Sequence, residues 1–318
     1  MLLRLLLASS LLLAGCTADG PEAAPPPDAW RVELSTAPTL LVMSDESVWG
    51  ASYGNGVGGS QVYRVDRATG RLAEQRTVAG QPHGLALGPR GELWLATLQL
   101  PDQPSGTGLQ VLDPISLQTR RTVLVEGVPL SLAFVDGALW VGDATGVSQV
   151  DQTTGRAQRR VRLPHAVNRL APTPAGLVAV GPEDLTSFDP VTGQVRATRA
   201  VPAFGSTTVA PAGDLLWVLH PDARANTVLQ PYDSRTLGPR PAAASPGRAG
   251  AAAFADGERL WISDPAGGRL LCADAGTGEV RGQWEVSLTG PLVADETSVV
   301  AAQTGGMTAR RATCGAAD

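Results

Sequence analysis

The stretch PHGLALGPRGELWLAT, residues 82–97, holds the pattern on which the fold turns. It reads as an apolar run, a Gly-Pro-Arg-Gly turn and a second apolar run around Trp94. Short runs rich in Val, Leu and aromatics, bounded by Gly and Pro, are strands joined by turns. The second run recurs as SVWGAS at 47–52, ALWVGD at 138–143, LLWVLH at 215–220 and RLWISD at 259–264. GLVAVG at 176–181 and SVVAAQ at 298–303 keep the pattern with Val178 and Val300 in the tryptophan position. The seven positions are 49, 94, 140, 178, 217, 261 and 300, and self-similarity at that spacing marks a repeat architecture.

Each unit carries the same flanks. An apolar strand precedes the tryptophan strand, and a third strand follows it into an Asp turn: VDRATG (65–70), LDPISL (112–117), VDQTTG (150–155), FDPVTG (188–193), YDSRTL (232–237) and ADAGTG (273–278). Asp at the turn start accepts backbone N–H groups, and the closing Gly takes positive φ. A fourth strand follows, as in RLAEQRTVAG (71–80). Four antiparallel strands per repeat is the anatomy of a propeller blade, so the expected fold is an all-β, seven-bladed β-propeller over residues 30–314. The last unit, 291–314, has only three strands, and the strand Trp30–Leu34 is expected to complete it and close the ring. A six-bladed ring, with the fourth or seventh unit misread, is the alternative. Residues 315–318 read as a tail. Five of the seven tryptophans share one repeat position, which is a packing signature rather than a cofactor box.

Composition narrows the function. The 318-residue chain has a net charge of −5 and no basic run, which argues against a nucleic-acid partner. All 25 basic residues are arginine, so no lysine nucleophile, Schiff base or P-loop is present. Three cysteines and three histidines build no zinc-finger framework. Gly50–Gly54 fits GxSxG, but a loop follows it where a nucleophile elbow needs a helix. No resident cofactor is expected, and a divalent metal would depend wholly on residues brought together by the fold.

The N-terminus reads as an address. Residues 1–15 combine Arg4 with a short apolar stretch, too short to span a membrane. Leu13-Ala14-Gly15-Cys16 resembles the lipobox of bacterial lipoproteins. That resemblance implies cleavage before Cys16, lipidation of its thiol, and a membrane-anchored protein, periplasmic or on the cell surface. Residues 16–29 continue as a Pro-rich tether, able to reach about 40 Å if polyproline-like. Export implies an oxidising compartment, in which Cys272 and Cys314 either form a bridge between the last two blades or remain two thiols.

Across residues 30–314, the GPRGELWLAT run and the VDxxTG-type turns are similar to bacterial propellers with YVTN, NHL or streptogramin-lyase-like repeats. That group implies a propeller whose members include binding proteins, lactonases, lyases and partners of quinoprotein dehydrogenases. Its ligands sit at one mouth of the central channel, where first strands start and loops between second and third strands meet. Register by the repeat places His83, Asn168 and Arg169 at strand starts, and His220 and Asp222 in such a loop. These five are the candidate binding or catalytic residues; no metal ligand is assigned. The expected function is a monomeric, lipid-anchored platform for a small molecule or an envelope protein. The alternative is a small-molecule lyase or lactone hydrolase with His83 and His220 as acid and base.

Overall fold

The computed structural model describes residues 29–54, 59–98, 108–202, 208–221, 227–243 and 253–314. Their strands form seven antiparallel sheets. Blade one comprises Leu40–Met43, Ser47–Ser52, Ser60–Asp66 and Leu72–Val78. Blade two comprises Gln81–Leu87, Leu93–Leu98, Gly108–Leu112 and Thr119–Leu124. Blade three comprises Ser131–Val135, Ala138–Asp143, Gly146–Val150 and Ala157–Arg162, and blade four Arg169–Thr173, Gly176–Val180, Asp184–Phe188 and Val195–Ala200. Blade five comprises Thr208–Ala212, Leu215–Pro221 and Thr227–Asp233, with its outer edge met by the bridges Tyr232–Pro239 and Leu229–Ala243. Blade six comprises Ala253–Ala255, Arg259–Asp264, Arg269–Asp274 and Val280–Glu285. Blade seven takes Leu288–Ala294, Ser298–Gln303 and Gly306–Arg311 from the C-terminal end, and Ala29–Glu33 from the other.

The ring is therefore seven-bladed, and the six-bladed alternative is excluded: the units at 178 and 300 each head a complete sheet. Trp30 sits opposite Ala309 and Val32 opposite Met307, so the first strand is the outermost strand of the last blade. The innermost strands of successive blades touch all the way round, including Leu40–Met43 against Leu288–Ala294. Such closure removes the long free sheet edges that would otherwise template aggregation.

The core is divided into seven apolar clusters, one between each pair of neighbouring blades. The tryptophan position of every blade contributes to the cluster shared with the next blade. Trp49 packs toward blade two, Trp94 toward three, Trp140 toward four, Trp217 toward six and Trp261 toward seven. A flat, large ring fills the wedge that opens between two sheets splayed around an axis. Where valine occupies the position, other rings supply volume. Tyr232 and Leu237 join Val178, and Trp30 and Tyr63 join Val300.

The Asp turns close the third and fourth strands. Oδ1 of Asp66, Asp113, Asp151, Asp189, Asp233 and Asp274 accepts the backbone N–H three residues on. The closing residue has positive φ, which Gly155 adopts freely at 75° but Leu117 holds at 55°. Leu117 is fully buried in the cluster between blades one and two. Cys272 and Cys314 form a disulfide with Cα atoms 5.5 Å apart, fastening the end of the chain to blade six.

Candidate functional site: the central channel

A cavity of about 530 Å³ occupies the axis, lined by the innermost strands of blades one to five and seven. Its size falls within the range of small-molecule pockets. Along those strands polarity changes. Thr39, His83, Ser131, Asn168 and Arg169 lie at the strand starts, and apolar residues such as Leu41, Leu85, Leu132 and Leu170 follow. The starts of the innermost strands thus form a polar collar above an apolar bore.

Within the collar most hydroxyls are engaged. Thr39 Oγ1 donates to Ala51 O, and Ser131 Oγ donates to Val167 O at 2.9 Å. His83 is different. Its ring meets Tyr53 edge-on with centroids 5.6 Å apart, and its buried Nε2 has no hydrogen-bond partner among the described residues. Burial lowers the imidazole pKa, so the ring is neutral at pH 7. Among the described residues, Arg169 is the one charged residue lining the cavity. Protein surrounds the guanidinium closely enough to lower its pKa by burial, although the side chain is open to the channel space. It has no ion-pair partner among the described residues.

The structure brings His83, Asn168 and Arg169 together on this cavity, and it does not bring His220 there. His220 belongs to the second strand of blade five, opposite Val228, and is 8% exposed. The expected loop begins later because LLWVLHP contains nothing that breaks a strand before Pro221. Asp222 and Cys16 lie outside the described residues. Three carboxylates in the hairpins between second and third strands have basic partners. Asp143 meets Arg160 at 3.0 Å, Asp264 meets Arg269 at 2.8 Å, and Asp184 stands 2.9 Å from His165. Burial raises the Asp184 carboxyl, and the attraction of His165 opposes that shift. Among the described residues, no three His, Cys, Asp or Glu side chains converge as metal ligands would. The buried Asp143–Arg160 and Asp264–Arg269 pairs had no distinct sequence signal, because each joins residues of two different strands.

Fold and channel together define the class: an all-β, seven-bladed propeller with a preformed axial cavity. Among solved structures the chain is similar to hydrazine synthase from Kuenenia stuttgartiensis, with a TM-score of 0.71 at 16% identity, over 89% of this chain and 98% of that one. It is also similar to BamB from Moraxella catarrhalis, with a TM-score of 0.58 at 12% identity, over 89% of this chain and 100% of that one. Identities this low show a shared fold and nothing further. No protein-family model matches the sequence, and no curated protein does.

Proposed function

We propose that the protein is a lipid-anchored, extracytoplasmic propeller that works as a binding platform, with its central channel as the principal ligand site. One observation carries the reading: a preformed cavity whose collar offers His83 and Arg169 for recognition, without partners among the described residues, while the hairpin carboxylates Asp143, Asp184 and Asp264 are engaged with Arg160, His165 and Arg269. A lyase or hydrolase that uses both a general acid and a general base aims two titratable groups at one substrate. His83 has no such partner among the residues lining the cavity. The Leu13–Cys16 lipobox and the Pro-rich tether support the anchor, and a likeness in shape to BamB is compatible with a role in holding another molecule.

A second reading, a lyase or lactone hydrolase, draws on His83 itself, since a neutral imidazole with an unpartnered nitrogen is fit to take a proton. Incubation of exported protein with a small-molecule extract, followed by mass spectrometry, separates the two. Retention of an unaltered molecule supports the platform. Turnover that disappears in His83→Ala overturns it. A thermal shift on adding divalent cations, reversed by EDTA, would add a metal to the site. Palmitate labelling that survives in Cys16→Ala would overturn the anchor.

A further inference from the structure

Among the described residues, the channel presents one cation without a counterion. Elsewhere, several buried or half-buried arginines meet carboxylates: Arg67 meets Asp295, Arg160 meets Asp143, Arg259 meets Asp256 and Arg269 meets Asp264, while Arg64, Arg121 and Arg159 reach backbone carbonyls and Arg310 lies over the Trp284 ring. Arg169 meets none among the described residues, and burial lowers its pKa. Arginine stays protonated at neutral pH even so. A guanidinium that faces the channel space gains a charge-assisted hydrogen bond when an anion arrives to pair with it.

The surroundings specify more than charge. Arg169 stands at the polar collar, and Leu170 on its own strand, Leu132 on the neighbouring blade three and Leu85 on blade two line the bore. A ligand with a charged head and an apolar body would satisfy both zones at once. The guanidinium fork matches the paired oxygens of a carboxylate or a phosphate. The neutral His83, with Nε2 unpartnered, offers the same head a further hydrogen bond without adding charge.

We propose that the channel binds a small amphipathic anion, its carboxylate or phosphate head held by Arg169 at the collar and its apolar body packed in the bore. This rests on the reading of the protein as a binding platform and names what that platform holds.

Four probes of one chain length test it on the full exported protein: octanoate, octyl phosphate, octanamide and octylammonium, followed by calorimetry and thermal shift. The two anions are expected to bind, and the neutral amide to bind about ten- to a hundredfold more weakly. Whether octanoate or octyl phosphate binds more tightly assigns the head group. Arg169→Gln should remove the preference for anions, and Arg169→Lys, which keeps the charge and loses the fork, should retain part of it. Equal binding of octanamide or octylammonium, undiminished anion binding in folded Arg169→Gln, or no anion binding at millimolar concentration overturns the proposal. Failure of the platform reading looks different. There the anion binds through Arg169 and is recovered chemically altered.

Discussion

The indole Nε1 of Trp217 donates to the carbonyl oxygen of Ala275 at 2.7 Å, tying blade five to the Asp turn of blade six. Trp49 makes the same bond to Pro114 at 2.8 Å, and Trp30 makes it to Arg67 at 2.9 Å across the ring seam. In each case the acceptor is the residue following the turn aspartate, so one rule serves three interfaces. The indoles of Trp94 and Trp140 are equally buried, but their Nε1 groups have no hydrogen-bond partner among the described residues.

That contrast predicts unequal costs for one substitution. Trp217→Phe and Trp140→Phe each remove similar volume, but only the first strands a buried carbonyl. Trp217→Phe should be more destabilising by about 1–2 kcal/mol, read from urea unfolding. Equal costs would show that the indole bond contributes nothing net.

The blade count was legible because packing, not chemistry, is periodic. Every tryptophan position faces the next blade, so the fold repeats its demand for volume, and valine suffices only where Tyr232 or Trp30 intrudes. The channel was legible in part, since strand starts are set by the same period, which located His83, Asn168 and Arg169. His220 was misplaced because hairpin length varies between blades. The arginine-only composition acquires a use. Arg64, Arg76, Arg121, Arg159 and Arg199 each reach a carbonyl in the third-to-fourth-strand turn of the next blade. A planar fork with five donors suits such lateral contacts better than a lysine ammonium.

At the seam, Arg67 is 5% exposed and donates to Asp295, Thr297, Ser298 and the carbonyl of Ser44. Removing either partner has different consequences. Asp295→Ala leaves a buried guanidinium, whereas Arg67→Met leaves a carboxylate that reaches solvent and keeps the N–H groups of Thr297 and Ser298. Asp295→Ala should cost about 2–4 kcal/mol and Arg67→Met less. Chemical denaturation of the two variants checks the order, and the reverse order would refute it.

Leu117 sets strain against burial. Its positive φ costs about 1–2 kcal/mol relative to glycine, which occupies the equivalent position in four other turns. Its side chain, fully buried, is worth about 2–5 kcal/mol against a cavity. Burial is the larger quantity, so Leu117→Gly should destabilise by about 1–3 kcal/mol although it relieves the backbone. A stabilised variant would show that the cluster between blades one and two collapses around the gap.

The turn aspartates predict an acid limb. The backbone N–H of Ser116 first, then Arg120 and Ile115, hold the Asp113 carboxyl down at about 2, although partial burial opposes them. The side chain and N–H of Thr69 lower Asp66, and similar turns lower Asp151, Asp189, Asp233 and Asp274. A depressed folded pKa means that the unfolded chain binds more protons, so stability is lost as pH falls from the ordinary value of 3.8 toward about 2. Asp184, raised by burial, acts in the opposite sense. These turns are exposed, so each contribution is small and their sum matters. Urea midpoints should fall steeply below pH 4, and Asp113→Asn should flatten that fall by its own share.

The disulfide predicts a dependence on where the protein is made. Cys272 and Cys314 are separated by 42 positions, and closing a loop of that length restricts the unfolded chain by about 4 kcal/mol in the chain-entropy account. The native contacts it secures are close. A Cβ on Gly282 would stand 2.9 Å from the Cys314 carbonyl, so Cys314 lies directly on the outer strand of blade six. Gly306–Arg311 is held separately, between Ser298–Gln303 and Ala29–Glu33, and does not need the bridge to stay in its sheet. Reduction should therefore lower the unfolding midpoint without dismantling the propeller, leaving the β-sheet circular dichroism below the transition unchanged. Cys314→Ser should match the reduced protein, and protein made without residues 1–15 in a reducing cytosol should match both. A midpoint indifferent to reductant, with the bridge confirmed by mass spectrometry before treatment, would mean that the unfolded chain is already restricted near blade six.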